Sequence, residues 1–432
     1  MDGFWPTFIR RNPTPPRFVE RTVEKPSPSF LSPQLAIVPL QETPQEPYQC
    51  LLKAKDEVVV GQKIGERGSP PFVVSIHASI SGKVREIDAY PSSHGYDVTS
   101  VVIESNGKEE TCRKISPESG GEAQIEALLD AGIPLDYGKL SERKTDVLLV
   151  NGTEFEPCIT VHHRILREKA AQVIRGLKTV MAVFSIPRAV VCVEKNQPSL
   201  LNILKSASEG TAEISIRPVL KAFPPAAEAI LLKEVSKKKE SSNSNGVHSV
   251  DAAHLLAVDE AVTQGIPFIE RLVTVSGSGV SSPQDIRVRI GTSFGEILTH
   301  CGGDLERITQ IIMGGALMGI SQYSSDVPVT QKTPGILALV TFPIAEGHES
   351  KIYMRGPCVR CAKCVDCCPV SILPNMLATY CEKKRFEEAV QKGLFVCIDC
   401  GLCSYVCPAR IPLAQILKAA KSRRELRPVE SS

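Results

Sequence analysis

The period of the apolar positions changes several times along this chain, and each change predicts a different kind of element. From residue 51, short β-branched runs are punctuated by glycine at 57–65, 73–87 and 97–103, a spacing that predicts a small β-sandwich or barrel. From about 119 to 260, helical and strand periods alternate. Helices are predicted at 123–131, 161–177 and 200–207, and continuous apolar strands at 145–150, 189–193 and 213–219. Strands apolar on both faces and separated by helices argue for a parallel sheet in an α/β domain. Residues 268–342 read as a hairpin (270–279 and 285–291), a helix at 293–300 capped by Ser293 or Thr292, and a strand at 309–315, in the manner of a β-grasp module. Gly314 and Gly315 admit a ligand, a close backbone contact or a tight turn. A last apolar stripe at 411–424 predicts a helix with a basic end, suited to anionic lipid, an acidic partner or docking on its own domain.

These periods predict a multidomain α/β chain in five parts. A Pro-rich arm covers 1–48, either linker or docking arm, and a β domain 49–118. A Rossmann-like α/β domain covers 119–267, a β-grasp module of SLBB type 268–345, and a cysteine-rich domain of bacterial ferredoxin type with a C-terminal helix 346–432. The stretch at 237–246, Lys-Lys-Lys-Glu-Ser-Ser-Asn-Ser-Asn-Gly, reads as a solvated loop. The β domain resembles biotinyl/lipoyl folds in its turn sequences. It has no lysine at the hairpin tip, Ser79 to Ser81, where a carrier domain would hold one, so it is read as structural. His77 within it is expected to be packed rather than a ligand.

A length of 432 residues exceeds one ordinary core, and a net charge of +2 argues against dedicated nucleic-acid binding. No apolar run approaches the roughly 20 residues that span a bilayer, and the N-terminal residues lack the pattern of a secretory signal. Fifteen cysteines suit a reducing compartment, with thiols serving metals.

The chemistry concentrates in two runs, Cys358-Val-Arg-Cys361-Ala-Lys-Cys364-Val-Asp-Cys367-Cys368-Pro369 and Cys397-Ile-Asp-Cys400-Gly-Leu-Cys403-Ser-Tyr-Val-Cys407-Pro408. Each contains C-x2-C-x2-C-x3-C-P. Three thiolates at x2 spacing wrap one [4Fe-4S] cube, while the fourth, before proline, turns to the other. The spacing thus assigns Cys358, Cys361, Cys364 and Cys407 to one cluster, and Cys368, Cys397, Cys400 and Cys403 to the second. Zinc would want paired knuckles and four ligands in all, and disulfides an oxidising compartment. Cys367 and Cys381 read as packed thiols. All-cysteine ligation leaves no open iron for a substrate, so one-electron relay is the expected chemistry.

The order of parts resembles the C subunit of Rnf ion-translocating electron-transport complexes, whose flavin domain is related to the NADH-binding subunit of respiratory complex I. The residues carrying it are Asn151-Gly-Thr-Glu-Phe-Glu-Pro-Cys-Ile-Thr-Val-His-His-Arg164, Glu270-Arg-Leu-Val-Thr-Val-Ser-Gly, Arg287-Val-Arg-Ile-Gly-Thr, Ile312-Met-Gly-Gly and the double cysteine run. The resemblance implies a peripheral subunit at the cytoplasmic face of the inner membrane, taking electrons from NADH through FMN to the clusters. Departures fall on the nucleotide pocket. The glycine-rich loop is reduced to Gly132-Ile-Pro134, Phe223-Pro-Pro-Ala-Ala-Glu228 places Ala226 and Ala227 where the family has glycines, and Ser249-Val-Asp-Ala252 places Asp251 where a phosphate-contacting threonine is expected. Gly132, Glu154, Glu156 and Glu228 are read as a vestigial pocket, with FMN and NADH not expected to bind.

The function expected is that of a peripheral subunit of a membrane-bound Rnf-type complex. Its partners would be the other subunits and a ferredoxin-like or cytochrome carrier, and not nucleic acid. The alternatives are an NADH- and FMN-dependent dehydrogenase subunit of the same complex type, and a soluble cluster-bearing adaptor of another oxidoreductase.

Overall fold

The computed structural model describes residues 22, 30–41, 47–109, 121–141, 145–154, 156–219, 231, 246–340 and 355–422. They form two compact units, one within residues 22–340 and the other within 355–422. Most of the Pro-rich arm, nearly all of the loop at 237–246 and the whole stretch from Phe223 to Glu228 lie outside the described residues.

In the larger unit the first layer is a sandwich of two antiparallel sheets. One orders Leu35–Pro39, Asp97–Ser105, Gly82–Pro91 and Glu57–Val58, and the other Gln49–Cys50, Lys63–Ser69 and Phe72–His77. Ala36, Val38, Ile64, Val84, Val101 and Ile103 fill its core. Leu35–Pro39 corrects the expected arm over 1–48: it is an edge strand in register with Ser100 to Glu104. Its proline closes the strand at a sheet edge, where a missing N–H costs least, and the prolines around it give the stretch the composition of a linker.

The α/β layer has an all-parallel sheet ordered Ile214–Val219, Arg188–Glu194, Val147–Asn151, Val247–Asp251. The run Val-Leu-Leu-Val is buried on both faces, because Leu148 and Val150 face one core while Val147 and Leu149 face another with Val190 and Cys192. Two apolar faces demand cover on both sides; the helices Val161–Glu168, Ala170–Val183, Pro198–Ala207 and Ala252–Gln264 pack on the first, and among the described residues Leu231 packs on the second. The helix expected over 161–177 is two, Val161–Glu168 and Ala170–Val183, broken where Lys169 leaves helical geometry at φ −126°.

The third layer is a six-stranded mixed sheet. Its order is Phe30–Leu31, Gln284–Arg289, Glu270–Ser276, Gly335–Leu339, Gln310–Met313, Ile320–Gln322. The helix Phe294–His300 buries Phe294, Ile297 and Leu298 on Val273, Val275, Ile286 and Val288. Of its two candidate caps Ser293 acts, its hydroxyl accepting from the Glu296 amide at 3.2 Å. Thr292 instead donates to the Arg289 carbonyl at 2.7 Å.

The smaller unit is made of short helices, Lys363–Asp366, Pro374–Glu382, Phe386–Gln391, Leu402–Tyr405 and Leu413–Lys421, closed over Leu377, Leu394, Leu413 and Leu417. Among the described residues no helix is long and apolar enough to cross a membrane.

Candidate electron-transfer site

Each cysteine run ends in a tight loop and a short helix, and the two loops repeat one backbone. Arg360 and Ala362 in the first run have φ of 54° and 60°, and their counterparts Asp399 and Gly401 in the second have 53° and 76°. After each Cys-Pro pair, Ser371 and Arg410 repeat the left-handed turn at 59° and 52°. Left-handed residues among right-handed ones turn successive N–H groups inward, the concave arrangement that holds anionic groups such as iron-sulfur clusters. Only one of the six is glycine, so composition alone did not reveal this device.

The loops line two small cavities, each with about 20 Å³ of free volume. Cys358, Cys361, Cys364 and Cys407 line the first, and Cys368, Cys397, Cys400 and Cys403 the second. Each cavity thus takes three thiols from one run and the last from the other. Among the described residues no three His, Cys, Asp or Glu side chains converge as a single ion requires. Thiols arranged around a cavity suit a group several atoms across. Cys367 lines neither cavity: it is buried, its Sγ lies 3.5 Å from the Cys364 carbonyl, and burial pushes its thiol up to about 12. Cys381 is also buried, packed in the apolar core of the unit.

The cavities differ in exposure. Cys358 and Cys361 are exposed beside Val359, itself 64% exposed, whereas Cys368, Cys400 and Cys403 are buried. Burial raises the Cys403 thiol far above its ordinary value and Cys400 to about 11. Thiolates there need a bound cation to compensate them.

The stretch 151–164, which carries much of the family resemblance, does other work. Glu156 is buried, and its Oε1 accepts from the amides of Leu317 and Met318 at 2.7 and 2.6 Å. Gly315 lies against it so closely that a Cβ would come within 2.0 Å of Glu156 Cγ and 2.6 Å of the Pro157 carbonyl. The Gly314-Gly315 pair therefore serves a close contact within the chain. Glu154 Oε1 accepts from the His163 amide at 2.7 Å. Gly132, at φ +72°, packs on the Ser75 carbonyl and accepts at its own carbonyl from Gln331 Nε2 at 2.9 Å. It joins the α/β layer to the sandwich and the mixed sheet, a use that its isolated Gly-x-Pro text did not signal.

Asp251 is the N-cap of the helix Ala252–Gln264, its carboxylate accepting from the Ala253 amide at 2.7 Å. His162 Nε2 lies 3.4 Å away and Arg271 3.8 Å away. Burial pushes the Asp251 carboxyl up, but His162, His254 and Arg271 outweigh it and hold it well below the usual range. The anion that a helix N-terminus attracts is here supplied by the chain itself.

Comparison with known proteins places these layers. Residues 13–108 match the RnfC barrel sandwich hybrid domain, and residues 122–262 the Nuo51 FMN-binding domain. The class is thus a multidomain α/β subunit that joins these two domains in one chain. The C subunit of the proton-translocating ferredoxin:NAD(+) oxidoreductase complex of Clostridium ljungdahlii is 32% identical, over 86% of this chain and 84% of that protein. Its counterpart in the Na(+)-translocating ferredoxin:NAD(+) oxidoreductase complex of Acetobacterium woodii is 30% identical, over 87% of each. The C subunit of the ion-translocating oxidoreductase complex of Rhodobacter capsulatus is 32% identical, over 90% of this chain and 78% of that protein. The chain belongs to this family of Rnf complex C subunits. The match to an FMN-binding domain stands against the expectation that no flavin is held.

Proposed function

We propose that this chain is the peripheral electron-transfer subunit of a membrane-bound, ion-translocating Rnf-type oxidoreductase complex, and that its smaller unit relays single electrons. The carrying observation is the sorting of eight cysteines into two cavities, three from one run and one from the other in each. A pair of [4Fe-4S] clusters ligated only by thiolates supplies one-electron transfer without an open coordination position. Cys358, Cys361, Cys364 and Cys407 hold the first, and Cys368, Cys397, Cys400 and Cys403 the second, in a module of bacterial ferredoxin type. The exposed Cys358, Val359 and Cys361 make the first cavity the side that meets an external carrier of ferredoxin or cytochrome type. The other subunits of the complex hold the chain at the cytoplasmic face of the membrane.

We read the α/β layer as scaffold without FMN or NADH. Supporting this, Asp251 takes the N-terminus of the helix Ala252–Gln264, and Gly315 is filled by Glu156. A second reading, an NADH- and FMN-dependent dehydrogenase subunit of the same complex type, is favoured by the FMN-binding family match over residues 122–262. Cofactor extraction from anaerobically purified chain, followed by NADH titration, separates the two. Iron and sulfide for two cubes with no flavin, and no bleaching by NADH, is the expected result. Stoichiometric FMN or NADH-driven bleaching establishes the second reading, and absence of iron after reconstitution overturns both.

A further inference from the structure

The loop of the second cavity carries a charge pair that the relay itself does not require. Lys421, in the last turn of the helix Leu413–Lys421, reaches back to the cysteine run: Nζ donates to Asp399 Oδ1 at 2.9 Å and to the Cys397 carbonyl. Asp399 Oδ1 in turn lies 3.6 Å from Cys397 Sγ. The two charged side chains are only 14% and 28% exposed, so water screens them incompletely.

We propose that Lys421 and Asp399 are positioning residues whose paired charges set the reduction potential at the second cavity; this rests on the two-cluster reading above. A cysteine that ligates iron has lost its proton and can donate nothing to Asp399. The carboxylate then stands as a negative charge beside a ligand sulfur, opposing the electron that reduction adds. Lys421 offsets it and, through the Cys397 carbonyl, ties the loop to the helix. In the first run the residue at the position of Asp399 is Arg360, a cation in the same backbone conformation. Two loops of one backbone thus carry opposite charges at the same place, and only the second has a lysine across from it among the described residues. Charge identity at this position therefore contributes to separating the potentials of two sites built on one loop backbone.

The test is a redox titration of the full chain, reconstituted anaerobically with iron and sulfide and followed by electron paramagnetic resonance. Lys421→Gln is expected to lower the midpoint of one cluster, shifting its ratio of reduced to oxidised form about tenfold at fixed potential, or about 59 mV for one electron. Asp399→Asn is expected to raise the same midpoint, and the double variant to return it near the wild-type value, with the other cluster unmoved throughout. A purely structural clip would move both single variants the same way, and that result, or unmoved midpoints, overturns the inference. Should Lys421→Gln fail to hold its cluster, Asp399→Asn decides alone: a raised midpoint supports the proposal and an unchanged or lowered one overturns it. Iron and sulfide analysis of the wild type comes first. A chain without clusters overturns the functional reading, whereas loaded clusters with unmoved midpoints overturn only this inference.

Discussion

Arg164 and Asp285 meet in a buried ion pair, Nε to Oδ2 at 3.0 Å, that joins the helix Val161–Glu168 to the mixed sheet. Around it Thr160 and Thr274 donate to Asp285 Oδ1 at 2.8 and 2.7 Å, and Arg164 also donates to the Thr22 carbonyl at 2.7 Å. Asp285→Ala would leave the buried Arg164 guanidinium with Glu168, at 2.8 Å, as a remaining carboxylate partner, and Thr160 and Thr274 without this acceptor, at a cost of about 1–3 kcal/mol. Thermal unfolding followed by circular dichroism should show a lowered transition.

Gly315→Ala places a methyl group 2.0 Å from Glu156 Cγ and 2.6 Å from the Pro157 carbonyl, so the turn or the side chain must shift. Overpacking of this kind costs about 1–3 kcal/mol. The denaturant midpoint should fall. An unchanged midpoint would mean that the 314–319 turn does not rest on Glu156.

His77 is buried in the sandwich, and burial, only partly opposed by Asp130, lowers its pKa from 6.5 to about 4. Between these values the unfolded chain binds a proton that the folded chain refuses. Its contribution is therefore intact above pH 6.5 and is lost as pH falls towards 4, by roughly 3 kcal/mol in all. Stability measured from pH 7 to 4 should fall less steeply in His77→Gln than in the wild type.

Cys368 lies before Pro369 and lines the cavity of Cys397, Cys400 and Cys403. On the proposed two-cluster reading, Cys368→Ser should impair the cluster assigned to that triad and spare the one assigned to Cys358, Cys361, Cys364 and Cys407. Electron paramagnetic resonance after reconstitution checks this, and damage confined to the first triad would refute the crossed assignment.

The sequence by itself determined what depends on near neighbours. The cysteine spacing sorts the thiols because a few bonds limit where each can turn, and the run Val-Leu-Leu-Val at 147–150 predicts a doubly covered parallel strand because alternate side chains point to opposite faces. A helix cap at Ser293 or Thr292 was legible for the same reason, and the structure selects Ser293. Tertiary structure alone decided the partners of buried polar groups, which come from far along the chain. Glu156 Oε1 accepts from the amides of Leu317 and Met318, Asp251 is flanked by His162 and Arg271, and Asp399 is met by Lys421. No local period encodes such pairs, since a buried charge must find its partner wherever the fold brings one. The strand Leu35–Pro39 was not legible because Pro33, Pro39, Pro44 and Pro47 surround a short run, and its sheet partner Asp97–Ser105 lies far along the chain.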